Sequence, residues 1–363
     1  MKRLIIRNIG PLKEVDIELS KINVIIGPQS SGKSCVLKIA CYCTWVEKKI
    51  ELAQSADEFL KDGYFVEELT RFHKLKGYFK KDSFIGYESD FTKFSYDVAI
   101  GKFQFEWKAG RWDYRRPKVS YIPAERNMVA AIPNWFDVKL YDDNIQSFMA
   151  DWDRARKAST KRQDILNLGV AYKYDDKKNM DQVAVDGETT LELTNTSSGL
   201  QSLIPLFVHL NYICRDSYQS DEAQSYSNIQ LGKQFQQTLR HQLSDQGQLT
   251  EEHILEVYNR YFKTHHAEIF LEEPENNLFP PTQSRLVDWL LKKTEGEHGA
   301  CLFVATHSPY MMTAFLEREL NDFRLFFEKK EGHQSTVVTA SEAEVQEIYD
   351  DGIDVFYNIE SYT

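Results

Sequence analysis

Long hydrophobic runs are missing from this chain of 363 residues. No apolar stretch approaches the roughly 20 residues that span a bilayer. The opening Met1-Lys2-Arg3-Leu4-Ile5-Ile6 carries basic residues, but its apolar part is far too short for a secretory signal. Membrane insertion and secretion are therefore not expected. Cysteine is scarce: Cys35, Cys41, Cys43, Cys214 and Cys301. An odd count at scattered spacing argues against a disulfide framework and fits reduced thiols in a cytoplasmic protein. Cys41-x-Cys43 has no second pair to complete a metal site. Positive charge is outweighed, with 44 Lys and Arg against 55 Asp and Glu for a formal net charge of −11. That disfavours diffuse binding to nucleic acid and leaves only a local basic surface for such a role. Neither an internal repeat nor a sustained heptad run is present, which argues against a solenoid or a long coiled-coil arm. What the chain does have is 42% hydrophobic and 13% aromatic residues, ample for the cores of one large or two ordinary domains.

The chain is organised around Ile22-Asn23-Val24-Ile25-Ile26-Gly27-Pro28-Gln29-Ser30-Ser31-Gly32-Lys33-Ser34. An apolar run of strand character ends at Gly27, and the helix-compatible Cys35-Val36-Leu37-Lys38-Ile39-Ala40 follows. This is the complete G-x-x-x-x-G-K-[ST] pattern in the strand–loop–helix setting it needs. A triphosphate requires many donors at close range. Glycines let backbone N–H groups point inward, and the helix start behind them adds partial positive charge. Lys33 can reach the β- and γ-phosphates and the Ser34 hydroxyl can ligate Mg²⁺. The expected ATP contacts are Gly27, Pro28, Gln29, Ser30, Ser31, Gly32, Lys33, Ser34 and Cys35. The bland alternative is a glycine-rich turn with an exposed lysine.

Flanking segments supply the scaffold. Leu4, Ile6 and Ile9 predict a strand, Gly10-Pro11 a turn, and Val15, Ile17 and Leu19 alternating with acids a half-buried antiparallel strand. Residues 35 to about 75 read as mostly helical. Apolar and aromatic positions from Tyr87 to Trp107 predict a small antiparallel meander, and Val119 to Pro123 a strand that returns to the core. Residues 141–168 are helix-compatible, Ala171–Tyr174 and Gln182–Val185 can pair, and Leu200–Cys214 is an apolar helix despite Pro205. Ala267–Leu271 and Ala300–Ala305 are short buried strands flanking a helix over Thr282–Lys293. Alternating strands and helices imply an α/β core with mostly parallel strands, and ligands then sit at the strands' carboxyl ends.

Two further segments fall at such positions, and a third opens a helix. In Leu271-Glu272-Glu273-Pro274-Glu275 an acidic pair ends a strand, with Glu272 read as the metal carboxylate and Glu273 as the group that orients or deprotonates the attacking water. In Thr306-His307-Ser308-Pro309 the His can sense a γ-phosphate by donating a hydrogen bond. Thr196-Ser197-Ser198-Gly199-Leu200-Gln201 places small hydroxyl residues and Gly at a helix start, which is either a second anion-binding end or an ordinary N-cap.

In this order the four segments resemble the ATP-binding-cassette (ABC) ATPase superfamily, in its soluble DNA-repair and defence branch: RecF, the structural-maintenance-of-chromosomes heads and the ATPase half of the overcoming-lysogenization-defect (OLD) nucleases. Leu4-Ile5-Ile6-Arg7-Asn8-Ile9-Gly10-Pro11 looks like that family's first strand and turn. Glu272 to Pro280 is similar to its OLD-type acidic segment, and Ala305 to Pro309 matches its switch-histidine segment. The resemblance implies an α/β P-loop NTPase of ABC type, with a mixed core sheet, an antiparallel β edge and helical and β insertions. It covers a head of 1–44, 119–214 and 261–363; the stretches outside it are read from their own pattern as a helical plus β-meander lid or partner surface at 45–118 and a helical or mobile insertion at 215–260. The resemblance also implies ATP and Mg²⁺ as cofactors and a head-to-tail homodimer. Each ATP would lie between one chain's phosphate loop and Ser197, Ser198 and Gly199 of the other, with hydrolysis by Glu273 and His307 opening the dimer. Leu200 departs from the Gln or Glu that many members carry. The lid glutamine has no clear counterpart, and Ile122-Pro123-Ala124-Glu125-Arg126 is the nearest segment, with Glu125 or Arg126 expected beside the nucleotide.

Only about fifty residues follow Pro309, so the OLD nuclease domain is not expected here, and Asp350, Asp351 and Asp354 read as a solvated tail. The implied partners are a separately encoded effector, nuclease or toxin, or DNA, with roles in phage defence or DNA metabolism. Basic stretches at Arg111–Lys118 and Arg154–Arg162 are open to contact with nucleic acid, although neighbouring acids favour solvated faces. Two other readings are a non-hydrolysing nucleotide-dependent scaffold and the energy subunit of a transporter.

Overall fold

The computed structural model describes residues 2–139, 141–187, 189–216 and 251–351, with the single positions 232, 235 and 237. Most of the segment expected as a 215–260 insertion lies outside these residues, as does Asp354. The strands are β1 (Lys2–Ile9), β2 (Leu12–Leu19), β3 (Ile22–Ile26), β4 (Phe79–Glu88), β5 (Thr92–Asp97), β6 (Lys102–Trp107), β7 (Pro117–Ile122), β8 (Gln163–Asp164), β9 (Ala171–Asp175), β10 (Met180–Ala184), β11 (Thr190–Glu192), β12 (His266–Glu272), β13 (Cys301–Ala305), β14 (Phe323–Glu331) and β15 (Gln334–Thr339). The helices are α1 (Lys33–Ala53), α2 (Tyr64–Phe72), the single turn α3 (Met128–Ala131), α4 (Asn144–Ala158), α5 (Ser198–Asn211), α6 (Glu251–Phe262), α7 (Pro280–Thr294), α8 (Pro309–Leu316) and α9 (Glu342–Asp351).

Eleven strands form one mixed sheet in the order β6-β5-β4-β1-β2-β15-β14-β3-β13-β12-β7. The half from β14 to β7 is parallel throughout. In the other half β1 pairs antiparallel with β2 and β4, and β4–β6 continue as a meander. The α/β class, the mixed core sheet and the antiparallel edge expected from the sequence are the observed fold. The meander is hydrogen-bonded to β1 and so extends the main sheet, and α1 runs unbroken through residues 44 and 45. A second, antiparallel sheet of four strands runs β11-β10-β9-β8, with the Ala171–Ala184 pairing anticipated from sequence.

Alternation explains why β3 is buried at all five positions. Ile25 joins one core with α1, the meander, Phe270, Phe303 and Phe326. Ile22, Val24 and Ile26 join the other, with residues of α4, α5, α7 and α8. The turn after β1 needs glycine. Gly10 has φ +55°, and a Cβ there would stand 2.3 Å from the Tyr78 ring. Helix α1 is tied to the meander by a buried carboxylate: Tyr87 Oη donates to Glu47 at 2.9 Å, Thr92 Oγ1 at 3.2 Å, and Ser89 Oγ donates as well. Glu47→Ala leaves the Tyr87 and Thr92 hydroxyls without this acceptor and Ser89 Oγ with only its 3.4 Å bond to Thr92 O, so it should lower stability by about 2–4 kcal/mol. Urea unfolding checks this, and an unchanged midpoint would show that the cluster contributes nothing.

Candidate functional site

The parallel register brings the carboxyl ends of β3, β13 and β12 to one edge. Val24 stands opposite Val304, and Val304 opposite Leu271. The loop after β3 turns into α1 with no side-chain cap at Gly32, which leaves its first N–H groups open to an anion. Both loop glycines are sterically required. A Cβ at Gly27 would lie 2.7 Å from Glu328 Cβ, and Gly32, at φ +127°, would drive one to 2.5 Å from Leu12 Cδ2. Lys33 is buried, and its Nζ donates to the carbonyls of Gly27 at 2.9 Å and Pro28 at 2.6 Å. Burial lowers its pKa, opposed by Glu328, Glu273 and Glu275.

A cleft of about 430 Å³ is lined by Gln29, Ser30, Gly32, Lys33, Ser34 and Cys35 of the loop and helix start, by Pro11, Lys38, Leu75 and Tyr78, and by Glu273 and His307. Two segments separated by the length of α7 and β13 thus meet the phosphate loop in one space. Glu273 has φ +41°, a left-handed conformation that a non-glycine residue holds only under constraint, and its N–H donates to Ala305 O at 2.8 Å. His307 Nε2 stands 3.8 Å from Glu273 Oε1, beyond hydrogen-bond length. Burial and the nearby Lys33 push the imidazole down to about 4, so it is neutral at physiological pH. A neutral ring keeps one N–H to donate and forms no ion pair that would tie up Glu273.

Glu272 is the last residue of β12. It is buried, and its Oε1 has no hydrogen-bond partner. Glu272 is not among the residues that line the cleft, and its strand is separated from β3 by β13; an unpartnered buried carboxylate oxygen is nonetheless chemically suited to a hard divalent cation or its water, and the exposed Ser34 lines the cleft itself. Among the described residues no three His, Cys, Asp or Glu side chains converge as a metal centre of their own.

Ser197, Ser198 and Gly199 do not line the cleft. They start α5, with Ser197 and Ser198 exposed and Ser197 making no side-chain cap bond. Arg126 does not reach the nucleotide space as expected. It is wholly buried and grips main-chain carbonyls, while Glu125 is exposed. The basic stretches are partly neutralised. Arg154 pairs with Asp151, Arg156 with Asp153 and Asp181, and Lys157 with Asp153. Arg111 stacks on Trp107 and Trp112.

Two carboxylates at the site escaped the sequence reading. Glu275 Oε1 accepts the His307 N–H at 2.7 Å, holding the switch segment onto the acidic loop. Glu328, on β14, accepts from Ser31 Oγ beneath the phosphate loop, lies 4.0 Å from Lys33 Nζ and leaves Oε1 without a partner. The available signal was an acid ending the apolar run Leu325-Phe326-Phe327. Burial pushes the Glu328 carboxyl up to about 7, and the Ser31 hydrogen bond and Lys33 hold it from going higher. A carboxyl raised on folding stabilises the fold below its ordinary value near 4.5 and loses that contribution as pH climbs through about 7. Glu328→Gln removes the ionisation, so its melting temperature relative to wild type should rise by roughly 2–5 °C between pH 5 and pH 8. Thermal melts across that range check this, and a pH-independent difference would refute it.

No family model and no curated protein matches the sequence. Among solved structures the chain is similar to an SMC head bound to the C-winged helix domain of ScpA, with 11% identity over 95% of this chain and 98% of that one, at a TM-score of 0.48. It is also similar to the SMC head domain from Thermotoga maritima, with 12% identity, coverages of 93% and 98% and a TM-score of 0.45. A third is an Smc head domain with an extended coiled coil bound to the C-terminal domain of ScpA derived from Pyrococcus furiosus, with 10% identity, coverages of 97% and 99% and a TM-score of 0.45.

Proposed function

We propose that this chain binds and hydrolyses ATP as an ABC-type ATPase, pairs head-to-tail with a second copy on ATP, and works as a switch or clamp for DNA or an effector protein. The observation that carries the reading is the single cleft lined by Lys33, Ser34, Glu273 and His307. The triphosphate lies across the free N–H groups that open α1, and Lys33 exchanges the Gly27 and Pro28 carbonyls for phosphate oxygens. Glu273 takes the proton of the attacking water, and neutral His307 donates to the γ-phosphate. Ser34 and Glu272 would hold Mg²⁺, which when bound would supply charge neutralisation for the phosphates. Because the exposed Ser197 and Ser198 and the half-buried Gly199 are not part of their own chain's cleft, they are available to close the site of a partner. ATP is then the ligand that binds the closed dimer better than the open one. Roles in phage defence or DNA metabolism, with a separately encoded nuclease or toxin, fit such a switch. Among the described residues no helix is long and apolar enough to cross a membrane.

Glu273→Gln should cut turnover by at least about 100-fold and leave an ATP-bound dimer on sedimentation. Wild-type turnover in this variant would eliminate Glu273 as the base. Ser197→Arg should keep ATP binding and abolish ATP-dependent dimerisation. A dimer of unchanged stability would remove Ser197 from the interface.

A further inference from the structure

The Arg126 guanidinium is wholly buried, and among the described residues no carboxylate pairs with it directly. It donates instead to five main-chain carbonyls. Nη1 reaches Glu272 at 2.9 Å and Pro123 at 3.4 Å, Nη2 reaches Glu273 at 2.8 Å and Pro274 at 3.2 Å, and Nε reaches Ser202 at 3.3 Å. Burying a cation is costly: burial pushes the Arg126 guanidinium down to about 10, and the nearby charges of Glu275, Glu273 and Glu272 offset only part of that loss. A methionine would fill such space more cheaply. What the guanidinium fork supplies is direction: it fixes the peptide planes of the residues that carry the two acidic side chains.

The hold on Glu273 is two-sided. Ala305 O accepts its N–H, and Arg126 takes its carbonyl, which accounts for the left-handed φ at a residue with a full side chain. The same guanidinium reaches Ser202, in the first turns of α5 beyond Ser198 and Gly199. Asn277 Nδ2 donates to Ser202 Oγ at 2.8 Å, and Gly199 packs so closely on Asn277 O that a Cβ would stand 2.9 Å from it. The acidic loop and the start of α5 are therefore joined by three contacts, two of them at Ser202 and two at Asn277.

We infer that Arg126 is a positioning residue that aims Glu272 and Glu273 through their carbonyls and makes the acidic loop move with the start of α5, so that engagement of Ser197–Gly199 by a second chain is transmitted to Glu273. This rests on the ATPase reading above. It adds a route by which docking at one site governs chemistry at the other.

The test uses the full chain as wild type, Arg126→Gln, Arg126→Lys, Glu273→Gln and the Arg126→Gln/Glu273→Gln double variant. Radiolabelled ATP reports binding by equilibrium dialysis and hydrolysis by single turnover, and sedimentation reports the dimer. Arg126→Gln should bind ATP within about threefold of wild type and hydrolyse it at least about 100-fold more slowly. Its turnover per chain should stay flat as dimer forms, where wild type accelerates. The double variant should be no slower than Glu273→Gln alone, because the two residues act as a unit. Arg126→Lys, which keeps the charge and part of the carbonyl grip, should recover about tenfold. Hydrolysis by Arg126→Gln within threefold of wild type, a parallel loss of ATP affinity, or multiplicative losses in the double variant would each overturn the inference. Should Arg126→Gln fail to fold, Asn277→Ala carries the test. A roughly tenfold slower hydrolysis at unchanged ATP affinity supports the coupling, and unchanged hydrolysis overturns it. A wild-type chain that binds no ATP overturns the ATPase reading as well, and that failure shows before any variant is compared.

Discussion

Parallel pairing of β3 with β13 and of β13 with β12 is the constraint on which the rest depends. A parallel ladder puts all three carboxyl ends on the same edge of the sheet. The residues that follow, Gly27, Glu273 and Thr306, lie past the paired registers and turn into loops there, Glu273 and Thr306 each keeping one last main-chain bond to the neighbouring strand. Each turn is then fixed by local chemistry: two glycines under Leu12 and Glu328, a left-handed Glu273, and a His307 main chain bonded to Glu275. Burial of the strands on both faces makes this edge rigid, since a one-residue slip in any of them would turn apolar side chains out of one core and into the other.

Charge is the second organising element. Lys33 and Arg126 are both buried, and both meet main-chain oxygens rather than direct carboxylate partners at hydrogen-bond distance. The acids near them, Glu272, Glu275 and Glu328, each keep an unpartnered oxygen. Unspent acceptors and restrained donors near the carboxyl edge of the sheet are a departure from the packing that maximal stability would favour, and they are what the proposed charged ligand would use. The protein tolerates this because the two large cores flanking the sheet supply stability elsewhere.

Much of this was legible in the residues. The strand–loop–helix pattern at 22–40, the antiparallel β1–β2 edge, the aromatic meander and the acidic strand end all announce themselves through local periodicity and turn chemistry. Local pattern also marked His307 and Ser197–Gly199 as positions of interest. Arg126 was noticed but put in the wrong surroundings. A sequence shows that an arginine follows a strand, and does not show whether its five donors meet phosphate or backbone. Glu328 and Glu275 were passed over for a related reason, since their significance lies in what packs against them.

By itself, then, the sequence determined the element types, the phosphate loop and the strand ends that bear chemistry, because these follow from interactions between residues close in the chain. Only the tertiary structure decided that Glu273 and His307 share a cleft with Lys33, that Ser197–Gly199 stand outside it, and that Arg126 joins the acidic loop to α5. Those facts depend on pairing across some 75 to 300 positions of chain, where no local pattern carries the register and only burial and hydrogen-bond satisfaction select it.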